Sequence, residues 1–360
     1  MGAMNMRSVL ESFSGKRVFL TGHTGFKGSW LAFLLKEVGA DVLGYSLPPE
    51  SSPSHFELLH LQTKIRHVAG DIRDASLLSD SLQSFRPEYV FHLAAQALVK
   101  KSYDDPVLTF GTNVMGSVHL LDAVRQCESA RSLVFITSDK CYENAEWIWG
   151  YRENDRLGGH DPYSASKAAA EIVFSAYARS FFSSQPDLGA ATTRAGNVIG
   201  GGDWAADRII PDCMRAIEMN DSIKLRNPKA TRPWQHVLEP IAGYLLLAAK
   251  LRKQPEKYAG SWNFGPSTSD VRTVQEVANA IIQNLGRGSI DLAHHPLHHH
   301  EARLLQLNCD KAHQLLRWYP RWSVDKTLAA TAEWYKAIFE GAEAEVITRS
   351  QIHDYFSELS

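Results

Sequence analysis

Short apolar runs alternate along the first half of the chain with longer segments of helical spacing. Arg17–Leu20 reads as a buried strand. Within Ser29–Val38, Trp30, Leu31, Phe33, Leu34, Leu35 and Val38 then recur at helical intervals. Gly39 closes that helix, where a left-handed cap is wanted, and Asp41–Tyr45 reads as a second strand. Further strands are expected at Ile65–Ala69, Tyr89–Leu93, Ser132–Ile136 and Ala190–Arg194. Helices are expected between them at Ala75–Phe85, Thr112–Cys127 and Pro162–Phe182.

Strands that are apolar throughout, alternating with helices, predict a parallel sheet covered on both faces. The fold class is therefore α/β, a doubly wound sheet of the Rossmann type. After about residue 195 the texture changes: glycines cluster at 196–203, loops lengthen and tryptophans appear. This predicts a smaller mixed α/β lobe for the substrate. The expected division is a dinucleotide-binding domain over 5–194, with a return segment at about 235–262, and a substrate-binding lobe over 195–234 and 263–350. The return to the sheet is expected around Gln235–Leu247.

Length supports two lobes, since 360 residues exceed one domain of roughly 150 residues. Lys and Arg total 38 against 40 Asp and Glu, a net charge of −2, which argues against a nucleic-acid partner. No run approaches the roughly 18 consecutive apolar residues of a membrane span, so no membrane partner is expected. The N-terminus lacks the apolar core of a signal peptide; Met1–Met4 are set aside from the fold reading. The four cysteines are scattered without a CxxC spacing, which fits a reducing cytoplasm rather than a disulfide framework or a zinc site.

Candidate chemistry begins at the end of the first strand. Gly22, Gly25 and Gly28 are spaced for a tight turn, close approach of a pyrophosphate, and packing of helix on strand. The helix that follows offers free N–H groups to the phosphates. The acid that many NAD sites carry after the second strand is missing, since that strand ends Gly44-Tyr45-Ser46. His23 and Lys27 are cations available to a 2′-phosphate, so the residues leave NAD and NADP open. Asp71 and Ile72 are placed to flank the adenine; equally, Asp71 or Asp74 serves as a helix N-cap.

A second cluster follows the strand Ser132–Ile136. Tyr163 and Lys167, four apart, share a helix face. A nearby cation lowers a phenol's pKa, which suits a general base acting on an alcohol. Ser138, at the carboxyl end of the strand, supplies a hydroxyl to orient that alcohol. Ligands bind at such strand ends in open α/β sheets.

The motifs Thr21–Gly28, His92–Ala95 and Tyr163…Lys167 resemble the extended short-chain dehydrogenase/reductases that act on nucleotide sugars. The resemblance covers nearly the whole chain. It sharpens toward the dehydratases of CDP-glucose at Thr137–Tyr142, Gly150–Asn154, Gly158–Tyr163, Arg194–Trp204, Arg232–Val237 and His300–Ala302. It implies NAD as cofactor, held by Gly22, His23, Thr24, Gly25, Phe26, Lys27, Gly28, Asp71, Ile72, Leu93, Ala94, Ala95, Asn113, Tyr163 and Lys167. The implied reaction is 4,6-dehydration of CDP-D-glucose in a route to surface-polysaccharide sugars. In that reaction Ser138, Tyr163 and Lys167 serve oxidation at C4, Asp139 is the acid for the departing 6-OH, and Lys140 is the base at C5. The lysine stands where many nucleotide-sugar dehydratases carry glutamate. Asn197, Arg208, Arg232 and His300 are implied for the nucleotide sugar. Trp204, Trp234 and Tyr142 either shape the pocket or belong to the core.

The resemblance also implies a homodimer through the helices Thr112–Cys127 and Pro162–Phe182. The run His294–Glu301 is read as a substrate loop rather than a metal site, because no spaced partner set accompanies it. Two other readings remain open: a nucleotide-sugar 4-epimerase or dehydratase of another nucleotide sugar, and a non-catalytic dinucleotide-binding regulator. An epimerase needs Ser138, Tyr163 and Lys167 but not the Asp139-Lys140 pair.

Overall fold

A computed structural model describes residues 6–267, 270–291 and 304–357. The apolar runs form β1 (Arg17–Thr21), β2 (Asp41–Ser46), β3 (Arg66–Ala69), β4 (Tyr89–His92), β5 (Ser132–Ile136) and β6 (Gly189–Arg194). With the strand Gly260–Asn263 they make one seven-stranded sheet in the order Gly260–Asn263, β6, β5, β4, β1, β2, β3. Every neighbouring pair is parallel. The chain winds outward from β1 to β3 and then crosses back to β4. Strand order thus reverses between β1 and β4, which opens a crevice at their carboxyl ends.

Strand alternation sends successive side chains to opposite faces. Val18 and Leu20 of β1 enter one core and Phe19 the other. The first core packs against helices Phe26–Glu37 and Leu238–Lys253, the second against Ala75–Phe85, Gly116–Arg125 and Pro162–Ser180. Helix Leu238–Lys253 is apolar nearly all round and buried along most of its length, as its sequence requires.

Two sequence expectations are corrected here. The segment Gln235–Leu247 does not itself return to the sheet. Only Gln235–His236 is extended, pairing with Val198–Ile199; the helix follows, and the returning strand is Gly260–Asn263. A helix apolar on all sides and a buried strand look alike in sequence. Second, the helix expected over Thr112–Cys127 opens with a wide π turn at Gly111–Met115 and becomes α-helical at Gly116–Arg125. There Gly116 lies against Ile72 so closely that a Cβ would meet Ile72 Cγ2 at 2.5 Å.

Beyond β6 the chain outside the large sheet is built from short pieces. Ile223–Lys224 pairs with Ile290–Asp291, and Thr231–Pro233 pairs antiparallel with Val271–Thr273. Helices Ile209–Glu218 and Val274–Leu285 cover them. All four cysteines are buried free thiols. Among the described residues, no helix is long and apolar enough to cross a membrane.

Candidate active site

The glycine loop forms a cradle at the β1–β4 crevice. Gly22 has a left-handed φ of 75° and lies against the loop after β4. A Cβ there would stand 2.6 Å from the Ala94 nitrogen. A Cβ on Gly28 would overlap the Gly22 carbonyl, so the helix start and the strand exit are in direct contact. Thr21 Oγ1 accepts from the Ala94 N–H at 3.2 Å and shares a 2.7 Å hydrogen bond with His92 Nδ1. Helix Phe26–Glu37 begins at Gly25 with no side chain capping its amides. A close-approach loop and an uncapped helix N-terminus fit a dinucleotide pyrophosphate.

The sequence reading placed further residues around this cradle. Thr24 Oγ1 donates to the Leu47 carbonyl and shares a 2.8 Å hydrogen bond with Ser46 Oγ, tying the loop to the β2 exit. Phe26 and Lys27 are half-buried at the helix start, and Leu93, Ala94 and Ala95 form the opposing loop. Asp71 does not cap a helix: its carboxylate takes the Arg73 guanidinium and backbone N–H, while Asp74 caps helix Ala75–Phe85. Ile72 is buried beneath Gly116. Asn113 is also buried. Its amide bonds both backbone groups of Gln96 and donates to Ser166 Oγ at 2.8 Å, linking the β4 loop to the helix of Tyr163.

His23 is corrected in character. Its ring is fully buried behind the loop, over Gly44, with Nε2 2.8 Å from His67 Nδ1. Burial, then the neighbouring His67, push its pKa down to about 3, so it is neutral and supplies no charge to a 2′-phosphate. The charge of Lys27 acts on Arg208, Asp139, Asp203 and Lys167.

The second candidate cluster stands across the crevice. Helix Pro162–Ser180 is started by Asp161, which accepts from the Ser164 N–H at 2.8 Å, with Pro162 in the first turn. Tyr163 and Lys167 both lie buried on its inner side. The Ser138 hydroxyl acts on the Tyr163 phenol, and Ser138 Oγ donates to Asp139 Oδ1 at 2.9 Å. Asp139–Cys141 form a single 3-10 turn at the β5 exit, with Lys140 half-buried beside them.

The electrostatics differ from the expectation that Lys167 lowers the tyrosine pKa. Burial dominates and pushes the Tyr163 phenol up to about 12. The Ser138 hydroxyl and the Arg208 guanidinium pull it down, and Asp139 pushes it up. Burial, then the charge of Lys27, bring Lys167 down to about 8. Burial and Arg208 bring Lys27 to about 8 as well, against the pull of Asp139 and Asp203. Lys27, Lys167 and Arg208 therefore share a poorly solvated site with Asp139 and Asp203, the latter paired with Arg208.

Asp139 also faces the second lobe. Its carboxylate lies where a Cβ of Gly196 would be, so only glycine fits there. Beyond it is a small pocket, open to solvent, lined by Asp139, Gly196, Pro233, Pro266, Val271 and Leu307. Asn197, in a left-handed conformation at φ 50°, follows Gly196. Arg208 is held by both carboxylate oxygens of Asp203, at 2.9 and 3.1 Å. Arg232 stands opposite Arg272 across an antiparallel strand pair. The Arg272 guanidinium reaches Asp325 Oδ1 at 3.4 Å. His300 and the run His294–Glu301 lie outside the described residues. Among the described residues, no three metal-type side chains converge.

Sequence reasoning missed three residues. Asp203, which orients Arg208, lies five positions before it in the glycine-rich stretch, a readable spacing. Gln96 anchors Asn113, and Glu171 lies one further helical turn beyond Lys167; neither carried a motif signal.

The fold and this constellation define an extended short-chain dehydrogenase/reductase of the epimerase and dehydratase class. The chain belongs to the GDP-mannose 4,6 dehydratase family, whose sequence pattern matches residues 19–331. It is 48% identical over 349 residues to the CDP-glucose 4,6-dehydratase of Salmonella typhimurium, covering 96% of this chain and 97% of that protein. Its fold is shared with the dTDP-glucose 4,6-dehydratase of Streptomyces venezuelae in a structure with NAD bound (TM-score 0.77, 24% identity, 91% of this chain and 99% of that one). It is likewise similar to the UDP-glucose 4-epimerase of Thermus thermophilus in complex with NAD (TM-score 0.76, 25% identity, 89% and 99%).

Proposed function

We propose that this chain catalyses the NAD-dependent 4,6-dehydration of CDP-D-glucose to CDP-4-dehydro-6-deoxy-D-glucose. The observation that carries the reading is the position of Asp139 and Lys140. They directly follow Ser138 at the β5 exit, with Asp139 bonded to Ser138 on one side and lining the pocket on the other. Oxidation alone needs Ser138, Tyr163 and Lys167; an acid and a base beside them supply an elimination. The likeness to the Salmonella enzyme across almost the full length of both chains supports the same substrate.

Bound NAD supplies the hydride acceptor for C4 and the donor for C6. The chain's own residues manage the protons. Tyr163 takes the proton of the sugar 4-OH, and Ser138 orients that hydroxyl. Lys167 holds the nicotinamide ribose, and Arg208 places positive charge near the phenol. With C4 a ketone, the C5 hydrogen is acidic, and Lys140 removes it. Asp139 gives a proton to the 6-OH, which leaves as water. Arg208, Arg232 and Asn197 are proposed to hold the nucleoside diphosphate, with His300 nearby. The cradle Gly22–Gly28 with Asp71, Ile72, Leu93–Ala95 and Asn113 is proposed to hold NAD.

Conversion tests the reading. Purified protein with NAD and CDP-glucose should yield a product lighter by one water by mass spectrometry, and UDP-, dTDP- and GDP-sugars should not. Unchanged mass with a new stereoisomer would make it an epimerase. Water loss from another nucleotide sugar would overturn the substrate.

The reading includes a homodimer. Met115 and Ile172 are exposed apolar residues on the two segments that resemblance assigns to the dimer interface, and Ile172 lies on the helix of Tyr163. Light scattering should give twice the 40.2 kDa chain mass, and Ile172→Glu should shift it to one; a wild-type monomer would end this part. The free buried thiols support a reducing, cytoplasmic location.

A further inference from the structure

We propose that the buried Glu171–Arg194 ion pair is a positioning device that keeps the elimination residues Asp139 and Lys140 in register with the oxidation residues Tyr163 and Lys167. The inference rests on the dehydratase reading above. Glu171 lies on helix Pro162–Ser180 one turn beyond Lys167, so Tyr163, Lys167 and Glu171 form one row. Its carboxylate is almost wholly buried and receives the Arg194 guanidinium on both oxygens, Nε to Oε1 at 2.9 Å and Nη2 to Oε2 at 2.8 Å. Thr192 Oγ1 donates to Oε2 at 2.8 Å, and Thr137 Oγ1 donates to Oε1. Burial pushes the Glu171 carboxyl up, but Arg194 and the hydroxyl donors outweigh it and keep the group below the usual range. The pair is therefore ionised in the folded protein.

Its connections run to both ends of the elimination segment. Thr137 immediately precedes Ser138. At the other end, Arg194 Nη1 donates to the Tyr142 hydroxyl at 2.7 Å, and its guanidinium lies over the Tyr142 ring at 4.8 Å. Tyr142 is the second residue after Lys140. Its hydroxyl donates to Asn263 Oδ1 at 2.8 Å. Asn263 Nδ2 in turn donates to the carbonyls of Tyr151 and Asn308, the latter next to Leu307 of the pocket wall. One charged pair thus fixes the turn Ser138–Cys141 at both flanks and anchors it to the helix of Tyr163.

Stability alone does not account for such a pair. Desolvating two charges offsets much of their attraction, and apolar residues of similar volume serve a core as well. What the pair adds is direction: four donor groups and a planar guanidinium allow the carboxylate a single orientation. The reaction needs this, because the sugar held at C4 by Tyr163 must also present C5 and the 6-OH to Lys140 and Asp139. Displacements near one ångström lower rates by up to about a hundredfold.

Tyr142→Phe isolates the linkage, since it keeps the ring under Arg194 and removes only the hydroxyl. In this variant, single-turnover oxidation of CDP-glucose should stay within about twofold of wild type, while overall turnover falls by roughly tenfold to a hundredfold. Reduced nicotinamide should then accumulate on the enzyme during steady state, read by its near-ultraviolet absorbance. The double variant Glu171→Gln/Arg194→Met, which replaces the pair by neutral groups of similar size, should accumulate it too; should that variant not fold, Tyr142→Phe decides. Unchanged turnover in folded Tyr142→Phe, or oxidation and elimination slowed by the same factor, would overturn the proposal. A wild-type protein that releases no water from CDP-glucose would instead overturn the dehydratase reading, and this inference with it.

Discussion

Tyr163→Phe should lower kcat by about a thousandfold and leave the fold intact. The change removes one oxygen from a side chain that is 7% exposed and otherwise packed by its ring. That oxygen is the atom proposed to take the 4-OH proton. The pH dependence identifies the role. Burial holds the phenol up to about 12 in the protein alone, and only the deprotonated form acts as a base. In wild type kcat/KM should therefore climb as pH rises toward that value, and the climb should vanish in Tyr163→Phe. Arg208 opposes the rise in pKa and so extends activity toward neutrality; its charge is held in place by Asp203. Stopped-flow oxidation of CDP-glucose across pH measures this directly. Near-normal turnover in the variant would remove Tyr163 from proton transfer.

Lys140→Ala should stop the reaction halfway. The side chain is half-buried and outside the ion-pair frame, so its loss leaves the fold unchanged. Oxidation at C4 should proceed, because Ser138, Tyr163 and Lys167 are untouched. Water loss should fall by about a hundredfold to ten-thousandfold, the range for losing a general base. Bound reduced nicotinamide would persist, and in heavy water the C5 hydrogen would no longer exchange with solvent. Wild type should incorporate deuterium at C5 under the same conditions. Full turnover with normal C5 exchange would show that another group is the base.

Comparison of chain and fold separates two kinds of knowledge. The glycine loop, the strands β1 to β6 and the Tyr163–Lys167 face were all legible, because each depends on spacing within one element. A period of two for strands and 3.6 for helices reports burial locally. The π turn at Gly111–Met115 and the helix Leu238–Lys253 were misread because what distinguishes them is contact with other segments: Asn113 with Gln96, and apolar side chains buried on every face.

The charges divide the same way. The sequence by itself determined that Ser138, Asp139 and Lys140 follow one strand, and that Tyr163 and Lys167 share one helix face. Only the tertiary structure decided that Arg208, not Lys167, is the cation that lowers the Tyr163 pKa, that His23 is neutral, and that Glu171 meets Arg194. The reason is physical. A local pattern fixes which side chains share a face. Ionisation instead depends on the balance of burial against charges brought in from distant segments, and strand order and packing set that balance.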